Sequence, residues 1–222
     1  MGMGAEIRKK LAKRAAQEIK EGMLVNLGIG IPSLVPDFLP GNFPVMFHAE
    51  NGIIGMGPSS EPGKEDENLC NAGGYPVTLQ TGGLYCDGAM AFGIIRSKRI
   101  DLTILGALQV SEKGDLANWI VPGKRVPGMG GAMELAAKAK KVIVVMNHFD
   151  KSGTSKLVKA CTLPLTAPNC VHMIITEIGV FNVTFEGLLL TDLFEPYTFA
   201  DVVAKTEAEV KRAKQIRIIK ER

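Results

Sequence analysis

Glu50 sits where a carboxylate can do chemistry. The apolar run Val45 to Ala49 reads as a strand, and Glu50-Asn51-Gly52 falls on a turn at its carboxyl end, the edge where open α/β sheets hold ligands. A carboxylate there can attack a carbonyl carbon, and it can equally be a solvated turn residue. Farther along, Trp119-Ile120-Val121-Pro122-Gly123-Lys124-Arg125-Val126-Pro127 runs into Gly128-Met129-Gly130-Gly131 and then a helix. Glycine lets the backbone approach a ligand closely, and the first N–H groups of a helix lack internal partners, so this segment suits an oxyanion. Gly28-Ile29-Gly30-Ile31-Pro32 and Asn71-Ala72-Gly73-Gly74 are also glycine-rich, and each reads equally well as a tight turn. Ser33 stands where a dinucleotide fingerprint needs glycine, and no segment has P-loop spacing, so neither nucleotide motif is present.

The other reactive side chains are less promising. His48 lies one strand period before Glu50 and shares its face, but it reads better as a satisfied buried histidine than as a general base. His148 and His172 have no metal-ligand spacing. Cys70, Cys86, Cys161 and Cys170 lie 16, 75 and 9 residues apart, which is neither a zinc pair nor a disulfide framework. No metal site is expected.

The elements that must position these groups follow from hydrophobic periodicity. Ile7, Leu11, Ala15 and Ile19 predict a helix from Glu6 to Glu21 stopped at Gly22. A strand from Met23 to Leu27 and a helical turn from Ser33 to Leu39 come next. Pro58 to Gly74, rich in Pro, Gly, Ser and acidic residues, reads as an exposed loop. A helix is expected at Gly88 to Arg96, with buried strands at Leu102 to Leu105, Val142 to Met146 and Met173 to Thr176. Met133 to Lys141 supplies a helix directly before its strand. Thr198-x-x-Asp201 resembles a capping box and should open a final helix running to about Lys214. Alternating strands and helices predict an α/β fold with an open, mainly parallel sheet flanked by helices, as a single domain over 1–222.

Composition agrees with that architecture. The 222 residues are 46% hydrophobic and 22% charged, which excludes disorder, collagen and coiled coil. A net charge of +3 is too small to mark a nucleic-acid binder. The basic residues crowd both ends (Arg8, Lys9, Lys10, Lys13 and Arg14, then Lys211 to Arg222) and read as solvated helix faces. The uncharged stretches Gly22 to Pro36 and Ala160 to Thr176 are too short to span a bilayer and each carries two prolines. Unpaired thiols and the lack of a signal-peptide core predict a cytoplasmic protein.

Seven segments together resemble the B, or beta, subunit of CoA transferases of the 3-oxoacid (succinyl-CoA:acetoacetate) type. They are Val25-Asn26-Leu27-Gly28-Ile29-Gly30-Ile31-Pro32, Glu50-Asn51-Gly52 with Gly55-x-Gly57, Asn71-Ala72-Gly73, Gly114-Asp115-Leu116-Ala117-Asn118-Trp119, Pro122-Gly123-Lys124, Gly128-Met129-Gly130-Gly131-Ala132-Met133 and Cys161-Thr162-Leu163-Pro164-Leu165-Thr166. They occur in the family's order across nearly the whole chain. The resemblance implies the CoA-transferase/NagB-like fold and a ping-pong enzyme in which Glu50 is the nucleophile and carries CoA as a glutamyl thioester. It implies Gly131 as oxyanion donor, with Gly130 second, and Asn118, Gly128, Lys124 and Asn51 near bound CoA. Coenzyme A would be substrate and covalent intermediate, with no permanent cofactor. The partner implied is a separate A, or alpha, subunit of similar fold, with two copies of each chain, since fused family members are about twice as long. Ala49 stands where many members have Ser, His48 where Gln is common, and Ser97-Lys98-Arg99 where Gly-Gly-His is usual. Those departures spare the nucleophile and the glycine loop, and acetoacetate is not singled out as substrate. An acyl-CoA hydrolase on the same fold and a non-catalytic metabolite-sensing module remain alternatives.

Overall fold

The first apolar stripe folds as helix α1 (Ala5–Ala16) in the computed structural model, which describes residues 4–58, 60–123 and 128–220. Strand β1 (Leu24–Leu27) follows, then a 3-10 helix (Pro32–Phe38), strands β2 (Met46–Ala49), β3 (Ile53–Met56) and β4 (Leu79–Tyr85), and helix α2 (Gly88–Arg96). Strands β5 (Leu102–Leu105), β6 (Gln109–Ser111) and β7 (Leu116–Ala117) lead to helix α3 (Ala132–Lys138) and strand β8 (Lys141–Val145). Strands β9 (Leu157–Val158), β10 (Met173–Ile175), β11 (Gly179–Thr184) and β12 (Gly187–Phe194) precede helix α4 (Phe199–Lys205) and strand β13 (Val210–Ile219).

Among the described residues, ten strands form one sheet in the order β13-β12-β11-β10-β8-β5-β1-β2-β3-β4, and β7-β6-β9 form a small second one. The centre, β10-β8-β5-β1-β2, is parallel at every pairing. Its flanks turn antiparallel, apart from the outermost β12–β13 pair. Five of the nine pairings are parallel, so the sheet is mainly parallel as expected, with antiparallel strands added on both flanks. Side-chain alternation explains the apolar run of β8: Ile143 and Val145 pack on the side of Leu11 and Ala15, while Val142 and Val144 pack on the opposite side with Leu116 and Leu157. Both faces of β8 are covered, so its inner positions are apolar. Each such side chain contributes about 1.5–3 kcal/mol on full burial.

Two expected helices end early. Helix α1 stops at Ala16, where Gln17, Glu18 and Ile19 donate backbone bonds to residues three positions back, at 3.3, 3.0 and 3.2 Å. Ile19 remains in the core although it lies past the helix. Gly22, with φ +76°, is not the helix stop; its N–H reaches Pro44 O at 2.7 Å and steers the chain into β1. At the other end, the Thr198–Asp201 capping box forms as expected. Helix α4 then ends at Lys205, and the residues expected to continue it form β13. Val210, Ile216, Ile218 and Ile219 favour a strand, and β12 has an open edge for them to pair with. The basic tail thus lies on an edge strand, where lysine and arginine discourage pairing between molecules. Nor is Arg14 on a solvated face: it is buried, with its guanidinium on Asp192 at 3.0 Å and Glu18 at 2.8 Å.

Candidate active site

Parallel strands β1, β2 and β5 bring three polar residues into one row. Asn26 is the register partner of His48 on one side and of Thr103 on the other. Asn26, His48 and Thr103 are essentially inaccessible, at 0%, 1% and 0% exposure. Their strand neighbours Val25, Phe47, Ala49, Leu102 and Ile104 belong to the α1-side core, so alternation turns the polar row to the opposite face. Thr103 Oγ1 donates to Asn26 Oδ1 at 3.2 Å, and Asn26 Nδ2 donates to His48 O at 3.1 Å and to Glu50 Oε2 at 3.0 Å. The His48 ring lies between α2 and Asn26, with Nε2 3.2 Å from Ala91 O and Nδ1 3.4 Å from Asn26 Nδ2.

Glu50 follows β2 directly. The Gly52 N–H donates to Ala49 O at 3.0 Å, closing a four-residue turn with Glu50 at its second position and glycine at its fourth, the position glycine favours in such turns. Gly52 has φ +111°, and a Cβ there would lie 2.1 Å from Cys86 O. Cys86 N–H in turn bonds Gly52 O at 2.9 Å, clamping the turn against the end of β4. On the other side, a Cβ at Gly131 would stand 3.5 Å from Glu50 Cγ and 3.5 Å from the Phe92 ring. Gly131 caps α3 and Phe92 lies on α2; Arg96 holds Glu134 through two bonds of 2.7 and 2.6 Å, tying those helices together. The Glu50 stem therefore stands against the glycine that opens α3, with the Phe92 ring on that glycine's other side.

The remaining candidates divide. Gly130 and Gly128 take positive φ, +55° and +103°, in the bend leading to Gly131. Asn51 donates Nδ2 to Cys70 O at 2.7 Å, which ties the loop around Cys70 to the Glu50 turn. Asn118 reaches Gly106 O with Nδ2 at 3.2 Å and accepts from Thr166 Oγ1 at 2.6 Å. Gly106 immediately follows β5, which lies two places from β2 in the large sheet, so this bond holds Asn118, just past β7, at the carboxyl edge where Glu50 also stands. Lys124 lies outside the described residues. A cleft lined by Leu27, Ile29, Ala49, Met56, Ala72 and Tyr75 opens at the ends of β1 and β2. Burial holds His48 below its ordinary pKa despite the Ala91 carbonyl and the Glu50 charge, which favours the neutral ring. Burial likewise pushes Cys161 to about 11 and Cys170 to about 12, away from thiolate chemistry. Among the described residues, no group of three or more His, Cys, Asp or Glu side chains is placed to hold a metal.

Sequence reasoning missed Asn26 as the partner of Glu50, Thr103 behind it, and Phe92 on the far side of Gly131. A signal for two of them was present: Asn26 and Thr103 are the polar interruptions in strands otherwise apolar on both faces, and a polar side chain buried there needs a partner.

The model of the coenzyme A transferase family matches residues 8–205. A protein of Bacillus subtilis (strain 168), named as the beta subunit of a probable coenzyme A transferase, is 60% identical over 211 residues, covering 95% of this chain and 97% of that protein. A second from the same organism, named as the B subunit of a probable succinyl-CoA:3-ketoacid coenzyme A transferase, is 50% identical over 92% of this chain and 94% of its own length. Among solved structures, a CoA thioester complex of the acyl-CoA transferase YdiF from E. coli O157:H7 shares the fold with a TM-score of 0.74 at 19% identity. The match covers 96% of this chain but 43% of that longer polypeptide. The chain belongs to the coenzyme A transferase family.

Proposed function

We propose that this chain is the B subunit of an enzyme that moves coenzyme A between an acyl thioester and a free carboxylic acid, a 3-oxoacid or similar short-chain acid, with Glu50 as the nucleophile. The observation that carries this reading is the setting of Glu50, a half-buried carboxylate at a parallel strand's carboxyl end with one oxygen held by Asn26 and its stem against Gly131. The Glu50 carboxylate attacks the thioester carbonyl and expels CoA thiolate, giving a mixed anhydride. The thiolate then attacks the glutamyl carbonyl and releases the donor carboxylate, leaving CoA on Glu50 as a thioester. An acceptor carboxylate reverses both steps, so the energy of the thioester is kept. Each addition creates an oxyanion, and backbone N–H donors aimed at it are worth about 3 kcal/mol apiece; Gly131 is our first choice and Gly130 the second. Asn118, Gly128, Lys124 and Asn51 would contact or frame the bound CoA.

A separate A, or alpha, subunit completes the pocket, with two copies of each chain in the assembly. Large apolar side chains exposed around the site support a covering partner: Ile29 and Tyr75 on the loops beside Glu50, Tyr85 at the end of β4, and Met90 and Met133 at the starts of α2 and α3. We place the enzyme in the cytoplasm, a reading that its unpaired cysteines support; no helix among the described residues is long and apolar enough to cross a membrane. The test is mass spectrometry of the complex of both chains after brief exposure to a panel of acyl-CoAs. A CoA adduct on the Glu50 peptide, absent together with turnover in Glu50→Gln, is expected. Turnover retained in Glu50→Gln overturns the assignment, and release of free CoA without an acceptor acid reassigns the enzyme as a hydrolase.

A further inference from the structure

We infer that Asn26 is the positioning residue for the Glu50 carboxylate: held from behind by Thr103, its amide ties up Oε2 and presents Oε1 to the substrate. The inference rests on Glu50 being the nucleophile. Its carrier is the row Thr103–Asn26–His48, three register partners on adjacent strands. In register the row runs into Val142 on β8 and Ile54 on β3, so the polar side chains are confined to the three strands beside Glu50. Stability alone would favour apolar residues there, as in the rest of these strands.

The amide can sit only one way. Its nitrogen faces two acceptor oxygens, His48 O and Glu50 Oε2, and a flipped amide would set oxygen against both. With the nitrogen so placed, Oδ1 meets the Thr103 hydroxyl, which must point its hydrogen forward. The two shortest bonds from the Asn26 nitrogen go to the main chain of β2 and to Glu50, at 3.1 and 3.0 Å, with His48 Nδ1 farther off at 3.4 Å. The donor is itself fully buried on a central strand, whereas Glu50 stands on a turn. A glutamate side chain has three freely rotating bonds, and fixing one oxygen removes most of that freedom before substrate arrives. An amide is also the right chemical class for this task. A lysine or arginine would hold the carboxylate equally well but would neutralise the charge that makes it a nucleophile, whereas a neutral N–H orients it and leaves the charge available.

The test uses the complex with the partner chain and reads the single-turnover rate of CoA adduct formation on Glu50, the half-saturating acyl-CoA concentration and the melting temperature, from about pH 6 to 9. Asn26→Ala should slow adduct formation about 10- to 100-fold, the loss expected for one hydrogen bond to a charged group, with half-saturation nearly unchanged. Thr103→Val keeps the shape, touches neither Glu50 nor substrate, and should slow the step by a smaller factor. Asn26→Asp is isosteric, but the introduced carboxyl must keep its proton to sit between two oxygens. Adduct formation in that variant should therefore fall as pH rises and the proton is lost, while the wild type stays flat. A purely structural Asn26 would lower the melting temperature without changing the pH profile. Wild-type adduct rates and a flat profile in Asn26→Asp and Thr103→Val complexes that assemble normally would overturn the inference while leaving Glu50 as nucleophile. Where Asn26→Ala fails to assemble, those two variants decide. Absence of an adduct in the wild type would instead overturn the reading of Glu50.

Discussion

Replacing Gly52 by alanine tests whether the Glu50 turn is held by backbone geometry. Gly52 has φ +111°, outside the range that side-chain-bearing residues normally occupy, and holding alanine there costs about 1–3 kcal/mol. The new Cβ would also start 2.1 Å from Cys86 O, a backbone atom at the end of β4 that cannot rotate away. Relieving that overlap means moving the turn or the strand, for about another 1–3 kcal/mol. The sum is about 2–6 kcal/mol, a large fraction of a typical domain's stability. Gly22→Ala is the control: its φ of +76° is similarly unfavourable, but nothing lies within 4 Å of the new Cβ, so it should cost about 1 kcal/mol. Denaturant unfolding of both variants gives the two figures. Glu50 lies two residues from the strained position, and a displacement of about 1 Å at a reacting group costs roughly 100-fold in rate. Turnover should therefore collapse in Gly52→Ala under conditions where the protein is still folded, and persist in Gly22→Ala. Equal stability losses in the two variants, or full activity in Gly52→Ala, would refute the argument.

Two further predictions concern the scaffold. Asp192→Ala should destabilise the protein by about 3–5 kcal/mol, because Asp192 and Arg14 are each nearly inaccessible and the substitution leaves the buried Arg14 guanidinium with Glu18 as its partner; an unfolding free energy changed by less than about 1 kcal/mol would contradict this. Stability should also fall on acidification below pH 6.5. His148 is buried against Phe149 and Phe181, with Thr176 and Thr206 on its ring nitrogens, and burial lowers its pKa from 6.5 to about 4. The folded form keeps it neutral while the unfolded chain takes up a proton, so its contribution is complete above pH 6.5 and lost towards pH 4, about 3 kcal/mol in all. Burial lowers His48 and His172 as well, in the same direction. Unfolding free energies at about pH 7 and about pH 4.5 should differ less in His148→Gln than in the wild type, and an unchanged difference would count against the buried neutral histidine.

Local chemistry made much of this molecule legible. The dense Val, Ile and Leu runs marked β5, β8 and β10 to within a residue or two, because a strand buried on both faces has few polar positions to spare. The Thr198–Asp201 box was readable because its partners lie three residues apart. Glu50 was readable as the exit of an apolar strand, and the ordered motifs marked the family.

Where the basic residues went was not readable, since helix and strand periodicity compete in Val210 to Ile219 and the winner depended on an open edge of β12, distant in the chain until folding brings it near. Arg14 likewise reads as a surface charge until folding delivers Asp192, 178 positions away. The same limit governs the site. Residue types and spacing determined that a carboxylate would stand at a sheet edge with a glycine-rich loop elsewhere in the chain. Only the tertiary structure decided that β1 lies between β5 and β2, which makes Asn26 the partner of Glu50, and that α3 starts against the Glu50 stem. Strand order and register are set by how whole faces bury one another, so contacts that depend on them are written in no single segment.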